Sequence, residues 1–323
     1  CYANQVEKIR DELPKVKVWI QLEDSTPLLE GSHAYSDVVQ NTAPMPRIER
    51  NEGNIYMLYT GGTTGMPKGV MYTHGGFVNS MLKTLKGMGV DVPDELADIK
   101  DTILNLHENG ELAKSFVACP LMHGTGMWLG GFLSHLLGGC VVTTPNLGLD
   151  TKLLWEEVER VGITNIIIVG DSFAKPMVKE LDRAVSENKP YNLETLKLIY
   201  SSGVMFSADV KASLLEHHDM VLMDAMGSSE GGMGSSVTTR EDGAATAKFR
   251  LNPGVVVVSD DGEEVLPGSG VRGLIGTSGL VPEGYYKDKE KSDATFKEFN
   301  GTRYSFPGDY ALVEADGTIT LLG

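Results

Sequence analysis

The stretch between Lys114 and Asp224 limits the possible folds most, because short apolar runs alternate there with longer segments of helical spacing. Residues 115–119, 139–143, 165–169, 197–201 and 221–224 read as strands. Between them, residues 127–137, 153–161, 176–187 and 208–217 read as helices. Strands separated by helices of about ten residues cannot pair as hairpins, so they imply a parallel sheet covered by helices on both faces.

The flanks have a different character. Residues 15–22 (KVKVWIQL) alternate and then run apolar, which predicts a strand, and residues 23–46 form a polar, turn-rich connector. Residues 54–59 (NIYMLY) stop at glycine-rich sequence, as a buried strand entering a loop would, and residues 74–88 have helical spacing. Beyond about Ser236, apolar runs at 254–258, 271–277 and 311–314 alternate with turns at Asp261-Gly262, Pro267-Gly268 and Asp316-Gly317. That pattern predicts a small antiparallel barrel-like or sheet module. The expected organisation is an N-terminal strand and connector at 1–53 belonging to the large domain, an α/β subdomain at 54–236 and a β-rich subdomain at 237–323.

Residues 60–69 (TGGTTGMPKG) carry the most chemistry. Their glycines let the backbone take positive φ and turn its N–H groups towards an anion. Thr60, Thr63 and Thr64 add hydroxyls and Lys68 adds a mobile positive charge, so the loop suits a polyphosphate. It is not a Walker A loop, which requires a Gly-Lys pair followed by Ser or Thr; here Pro67 precedes Lys68 and Gly69 follows it.

Composition excludes some partners. A formal charge of −16 repels phosphate backbones at long range and argues against nucleic acid. No run of about eighteen apolar residues is present to span a bilayer. The 3 cysteines, Cys1, Cys119 and Cys140, have no CxxC spacing, and the internal two sit in apolar surroundings that suit buried small hydrophobes. A low, odd cysteine count suits a reducing cytosol, so a cytoplasmic setting is expected. The chain opens Cys1-Tyr2-Ala3 without Met or a signal-peptide pattern, as a piece of a longer protein would. Nothing in the sequence indicates an oligomeric state.

The string YTGGTTGMPKGV at 59–70 resembles the signature loop of the adenylate-forming superfamily, which comprises acyl- and aryl-CoA synthetases, luciferases and peptide-synthetase adenylation domains. Gly61 stands where that pattern usually has Ser. Further segments match in the family's order. Pro120-Leu121-Met122-His123-Gly124-Thr125-Gly126 is similar to PLxHxxG, and Ser201-Ser202-Gly203-Val204-Met205-Phe206-Ser207 resembles the SGGAPLS turn. Met226-Gly227-Ser228-Ser229-Glu230 resembles YGxTE, with Met226 in place of Tyr and Ser229 in place of Thr. Gly284-Tyr285-Tyr286-Lys287-Asp288, Thr295-Phe296 and Tyr304 with Gly308-Asp309 follow GYYxD, TF and (W/Y)xxTGD, with Pro307 in place of Thr.

The resemblance implies ATP-dependent activation of a carboxylic acid to acyl-AMP and then, with coenzyme A, to acyl-CoA. It implies that Thr60, Gly61, Gly62, Thr63, Thr64, Gly65 and Lys68 hold phosphates, and that Glu230 and Thr64 hold Mg²⁺. Gly203, Val204, Ala225, Met226, Ser229 and Asp309 would contact adenine or ribose. His123, Trp128, Gly203 and Gly227 would line the acyl pocket, and His123, Glu230 and Lys68 would be catalytic. Gly203, Gly227, Gly231 and Gly232 favour a fatty or otherwise bulky acyl group. The family also has a smaller C-terminal domain with a catalytic lysine; this chain ends where the hinge to that domain would begin, so the domain is expected to be absent and turnover poor. The alternatives are a non-catalytic nucleotide-binding scaffold, or another adenylating enzyme such as an aryl-CoA ligase or peptide-synthetase domain.

Overall fold

The computed structural model describes residues 2–61, 66–146, 148–241 and 248–322. Of the residues expected to hold phosphates, Gly62, Thr63, Thr64 and Gly65 lie outside this set. The chain divides into two units, Cys1–Arg50 and Asn51–Gly323.

In the first unit, a helix at Ala3–Ile9 and a second at Tyr35–Asn41 flank the short parallel pair β1 (Ile20–Gln21) and β2 (His33–Ala34). The strand expected over 15–22 is therefore only two residues long. Its alternation is real, but a strand needs a hydrogen-bonded neighbour. His33 N reaches back to the Trp19 carbonyl at 2.8 Å, but among the described residues no strand pairs with 15–18, and Val16 and Val18 remain 41% and 59% exposed.

The second unit opens with an antiparallel hairpin of β3 (Ile55–Thr60) and β4 (Lys68–Thr73), in register from Ile55↔Thr73 to Thr60↔Lys68. This corrects the buried strand expected at 54–59. β3 is an edge strand on which Ile55, Met57 and Tyr59 face outwards, 45%, 36% and 57% exposed. The unforeseen β4 carries the burial instead, with Val70 and Tyr72 in the core. Its first residues look like loop sequence because Pro67 and Gly69 flank Lys68.

The predicted parallel sheet is present as β5 (Lys114–Val117), β6 (Cys140–Val142), β7 (Asn165–Ile168), β8 (Leu198–Ser202) and the first part of β9 (Val221–Ser228). β9 turns back as β10 (Gly231–Thr238), and β11 (Lys248–Leu251), β12 (Val255–Val258), β13 (Arg272–Thr277), β14 (Gly284–Tyr285), β15 (Phe296–Phe299), β16 (Thr302–Ser305), β17 (Tyr310–Val313) and β18 (Thr318–Leu321) follow. Among the described residues the large sheet runs β6-β5-β7-β8-β9-β10-β11-β18-β17-β13-β16-β15, with β12 on β13. The antiparallel strands thus extend the parallel sheet without closing into a barrel, because β9 is long enough to pair β8 on one side and β10 on the other. β14 leaves this sheet and adds to β4.

Alternate residues of the parallel strands enter opposite cores. Ile166, Ile168, Ile199 and Leu222 pack with Leu154, Trp155, Met177 and Leu214. Ile167, Val117 and Tyr200 pack on the other face with Met81, Leu82 and Leu85 of the helix His74–Gly87 and with Leu133. Burying both faces is why these strands read as apolar runs without alternation. A third core, with Met226, Met233, Phe249 and Ile275, fills the antiparallel half.

The helix expected at 176–187 starts earlier and spans Gly170–Ser186, with Pro176 inside it. Proline usually marks a first turn, but here Ala174, Met177 and Leu181 are buried on the same helix, and tertiary packing offsets the lost backbone bond. The expected helix at 153–161 is observed as Thr151–Glu157, capped by Asp150 accepting from Leu153 N at 3.0 Å, and continues as a π-turn at Val158–Gly162. The expected helix at 127–137 is a π-helical segment, Thr125–Phe132, followed by Leu133–Leu136. Cys119 is buried as expected, and burial pushes its thiol up to about 11. Cys140 is exposed, contrary to expectation, because β6 is the edge of the sheet. No helix among the described residues is long and apolar enough to cross a membrane.

Candidate active site

The centre of the site is the tight turn Ser229-Glu230 that joins β9 to β10, where Ser228 pairs with Gly231 and Gly227 with Gly232. Glycine is required on both sides of it. A Cβ on Gly227 would lie 2.9 Å from the Gly231 carbonyl oxygen, and one on Gly231 would lie 2.5 Å from Thr277 Cγ2. The missing side chain of Gly227 is therefore filled by its own hairpin partner. Within the turn, Glu230 N donates to Ser228 Oγ at 3.1 Å.

Two tyrosines from the small sheet hold this turn. Tyr72 of β4 donates its hydroxyl to the Ser229 carbonyl at 2.6 Å. Tyr285 of β14 donates to Glu230 Oε1 at 2.7 Å. Burial and the nearby Glu230 charge push both phenols above their usual range, so they remain neutral donors. Lys68, the first residue of β4, places Nζ 5.3 Å from the centroid of the Tyr285 ring. Thr60 is its cross-strand partner, so this pair closes the stem of the glycine-rich loop. Gly61 has open space where a Cβ would stand.

Asp309 lies just before β17, and its carbonyl accepts from Ile275 N at 2.9 Å. Burial first, and then the charge of Glu230, hold its carboxyl above the usual carboxylate range. Two residues along the same strand from Ile275, Thr277 donates its hydroxyl to Gly232 O at 3.1 Å, which brings this strand to the Glu230 turn. Lys68, Glu230 and Asp309, which are remote in sequence, are thus gathered by the β9–β10 turn and the strands around it.

The histidine turn follows β5. His123 is exposed, and its Nδ1 accepts from Thr125 N at 3.3 Å, which assigns the ring proton to Nε2. Gly126 packs this turn: a Cβ there would lie 2.4 Å from the Pro120 carbonyl oxygen. Trp128 is half-buried and donates Nε1 to Tyr56 Oη at 3.0 Å. Its ring meets Tyr72 edge-on with centroids 6.0 Å apart, which links the histidine turn to the tyrosines on Ser229 and Glu230. Gly203 has a φ of +98°, and a Cβ there would lie 3.9 Å from Thr125 Oγ1, so the turn after β8 lies beside the histidine turn. Val204 is 53% exposed next to it.

Ala225 and Met226 point to opposite faces of β9. Ala225 is half-buried against the core containing Tyr72, whereas Met226 is buried with Met233 and Phe249 in the antiparallel core. Ser229 is half-buried in the turn. Motif reading gave no role to Tyr56, Tyr72 or Tyr285. Tyr285 lies within a motif, but no local pattern reveals hydroxyl partners 55 and 157 residues away.

The donors fit a magnesium ion shared with a substrate. Among the described residues no cluster of three or more acidic, histidine or cysteine side chains is gathered for a metal. Mg²⁺ is usually bound through one or two carboxylates plus phosphate oxygens and water, and Glu230 would supply such a carboxylate.

The sequence profile of the AMP-binding enzyme family matches residues 1–286. Over its whole length the chain is 35% identical to a medium/long-chain-fatty-acid–CoA/3-oxocholest-4-en-26-oate–CoA ligase of Mycolicibacterium smegmatis, of which it covers 58%. It is 36% identical to a 3-oxocholest-4-en-26-oate–CoA ligase of Rhodococcus rhodochrous, again over 100% of the chain and 58% of the relative. The chain thus spans somewhat over half the length of these relatives. Its fold is similar to that of the anthranilate CoA ligase AuaEII in complex with anthranoyl-AMP, at a TM-score of 0.75 and 19% identity, covering 100% of this chain and 57% of that one. It is also similar to the O-succinylbenzoate coenzyme A synthetase MenE of Bacillus subtilis in complex with AMP, at a TM-score of 0.71 and 18% identity, covering 100% and 61%. With a family profile matched over most of its length and relatives at 35–36% identity along all of it, the chain belongs to the AMP-binding enzyme family.

Proposed function

We propose that this chain is the ATP- and acyl-binding part of an acid–thiol ligase that converts a carboxylic acid to acyl-AMP and then to acyl-CoA. The observation that carries this reading is the gathering of Lys68, Glu230 and Asp309 around one turn, with the His123 turn joined to it through Trp128 and Tyr72. In the first half-reaction the acid's carboxylate oxygen attacks the α-phosphorus of ATP and pyrophosphate leaves. In the second, the thiol of coenzyme A gives up its proton to solvent, its sulfur attacks the acyl carbon and AMP leaves. Positioning and charge neutralisation supply most of such catalysis.

Thr60, Gly61, Gly62, Thr63, Thr64, Gly65 and Lys68 hold the phosphates. Glu230 and Thr64 would hold Mg²⁺, which would neutralise phosphate charge there. Asp309 accepts from the ribose hydroxyls, while Gly203, Val204, Ala225, Met226 and Ser229 border the nucleoside. His123, with its proton on Nε2, orients the acid's carboxylate, and Trp128, Gly203 and Gly227 border the acyl side. Residues 54–236 form the nucleotide- and acyl-binding subdomain, and 237–323 the β-rich one. The setting is cytoplasmic.

A bulky apolar acid suits this site. Met122, Val204 and Met205 are 83%, 53% and 58% exposed on the two adjoining turns, which gives an apolar lip. The relatives named for fatty and steroid acids support the same class.

Calorimetric titration of the chain with MgATP, AMP and a non-hydrolysable acyl-adenylate analogue tests this reading. We expect the wild type to bind all three. Glu230→Gln should weaken MgATP by about tenfold and leave AMP unchanged, consistent with a loss of about 1.4 kcal/mol. Asp309→Asn should weaken MgATP and AMP alike. A wild-type chain that binds none of them would favour the scaffold alternative.

A further inference from the structure

Lys68 and Glu230 come from different sheets and carry opposite charges, yet each meets Tyr285. Tyr285 stands between them. Its ring face carries Lys68 Nζ at 5.3 Å, and its hydroxyl donates to Glu230 Oε1 at 2.7 Å. A cation on a ring face and a carboxylate on a phenol hydroxyl are both favourable contacts, so the ring satisfies each charge separately.

Tyr285 is held firmly enough for this role. It is 4% exposed, and its backbone N donates to Ser292 Oγ at 2.8 Å. Its strand pairs with β4 through Tyr285↔Val70, and the next residue, Tyr286, donates N to Gly69 O at 2.8 Å. The ring packs against Phe296 with centroids 5.1 Å apart. Tyr72, one strand over, fixes the adjoining Ser229 carbonyl, so two buried hydroxyls fall on two consecutive residues of the Glu230 turn. Phenylalanine would fill the same volume in both places; the hydroxyls serve the turn.

We propose that Tyr285 is a positioning residue that keeps Lys68 and Glu230 apart and aimed at one polyphosphate. A direct Lys68–Glu230 ion pair would neutralise both groups. With the tyrosine between them, the ammonium stays available for phosphate oxygens and the free carboxylate oxygen stays available for the accompanying cation. Tyr72 supports the arrangement by fixing the backbone of the same turn. The inference rests on the nucleotide reading above and adds a ligand preference: the tyrosine matters to a ligand with β- and γ-phosphates and not to AMP.

Titration of MgATP and AMP into the wild type, Tyr285→Phe, Glu230→Gln and the double variant tests this. Tyr285→Phe keeps the ring and loses only the hydroxyl. We expect MgATP affinity to fall about five- to tenfold and AMP affinity to stay within about twofold. The double variant should be no weaker than Glu230→Gln alone, because the hydroxyl acts through that carboxylate. Equal weakening of MgATP and AMP, or full additivity with Glu230→Gln, would overturn the proposal and leave Tyr285 a packing residue. Should Tyr285→Phe melt far below the wild type, Tyr72→Phe provides the second arm. It should show the same selective loss of MgATP, and a uniform loss would count against the proposal. A wild type that binds neither ligand would overturn the nucleotide reading itself, and the inference with it.

Discussion

Lys211 is fully buried on the helix Ala208–His217, with Nζ 3.7 Å from Asp224 Oδ2 on β9 and 5.1 Å from the centroid of the Phe206 ring. Burial pulls the Lys211 ammonium below its usual range and pushes Asp224 up to about 6. Removing one member of such a pair leaves the other as an uncompensated buried charge. Lys211→Met should therefore cost about 3–5 kcal/mol in chemical denaturation at neutral pH. The cost should shrink at acid pH. Asp224 already has a raised folded pKa, and losing Lys211 raises it further, so the added cost is absent where both states bind its proton and grows as pH rises above about 6. A cost independent of pH would show that Asp224 is not the group left behind. At this scale the sequence was partly legible. His123, Glu230 and Asp309 stand out because motifs surround them, but Lys211 looks like any polar residue of an amphipathic helix.

The histidine turn shows how an element sets the position of one side chain. Gly126 can pack against the Pro120 carbonyl only without a Cβ, whereas Gly124 has helical angles and its nearest neighbour, a Trp128 ring carbon, would be 3.5 Å from a Cβ. Gly126→Ala should lower stability by about 1–3 kcal/mol through overpacking against backbone. Gly124→Ala should be neutral or slightly stabilising in a thermal melt, because Ala is the better helix former. Comparable losses in both would mean that the close approach at Pro120 does not govern the turn. The spacing of the motif identified this turn, but not its π-helical form, which depends on how Gly126 and Gly130 meet Pro120 and Val117. Such widened turns often accompany functional sites.

Across the whole molecule, a charge of −16 surrounds a site proposed to take an anionic nucleotide. Raising ionic strength from about 10 mM to about 150 mM shortens the screening length from about 30 Å to about 8 Å, so long-range repulsion fades while contacts inside the site persist. MgATP association measured by stopped flow should accelerate with salt, and dissociation should change little. An association rate that falls with salt would mean that Lys68 and the local loop dominate the field. The same charge should leave the protein unable to retard duplex DNA at physiological salt.

Local pattern was sufficient for the parallel half of the sheet. Apolar runs of strand length separated by helical spacing named β5, β7 and β8 within a residue or two, since an extended chain buried on both faces must be apolar throughout. The motif turns at His123, Gly203 and Glu230 also follow strands of this sheet, as their contiguous sequence signals suggested. The β3–β4 hairpin, the continuation of β9 into an antiparallel sheet and the tyrosine clamp on Ser229 and Glu230 were not legible in this way. Each depends on a partner strand or side chain elsewhere in the chain, reached only once the two sheets have packed. A hydrogen bond from Tyr72 to a residue 157 positions away leaves no periodicity in the sequence, because its geometry comes from the packing of the small sheet against the large one.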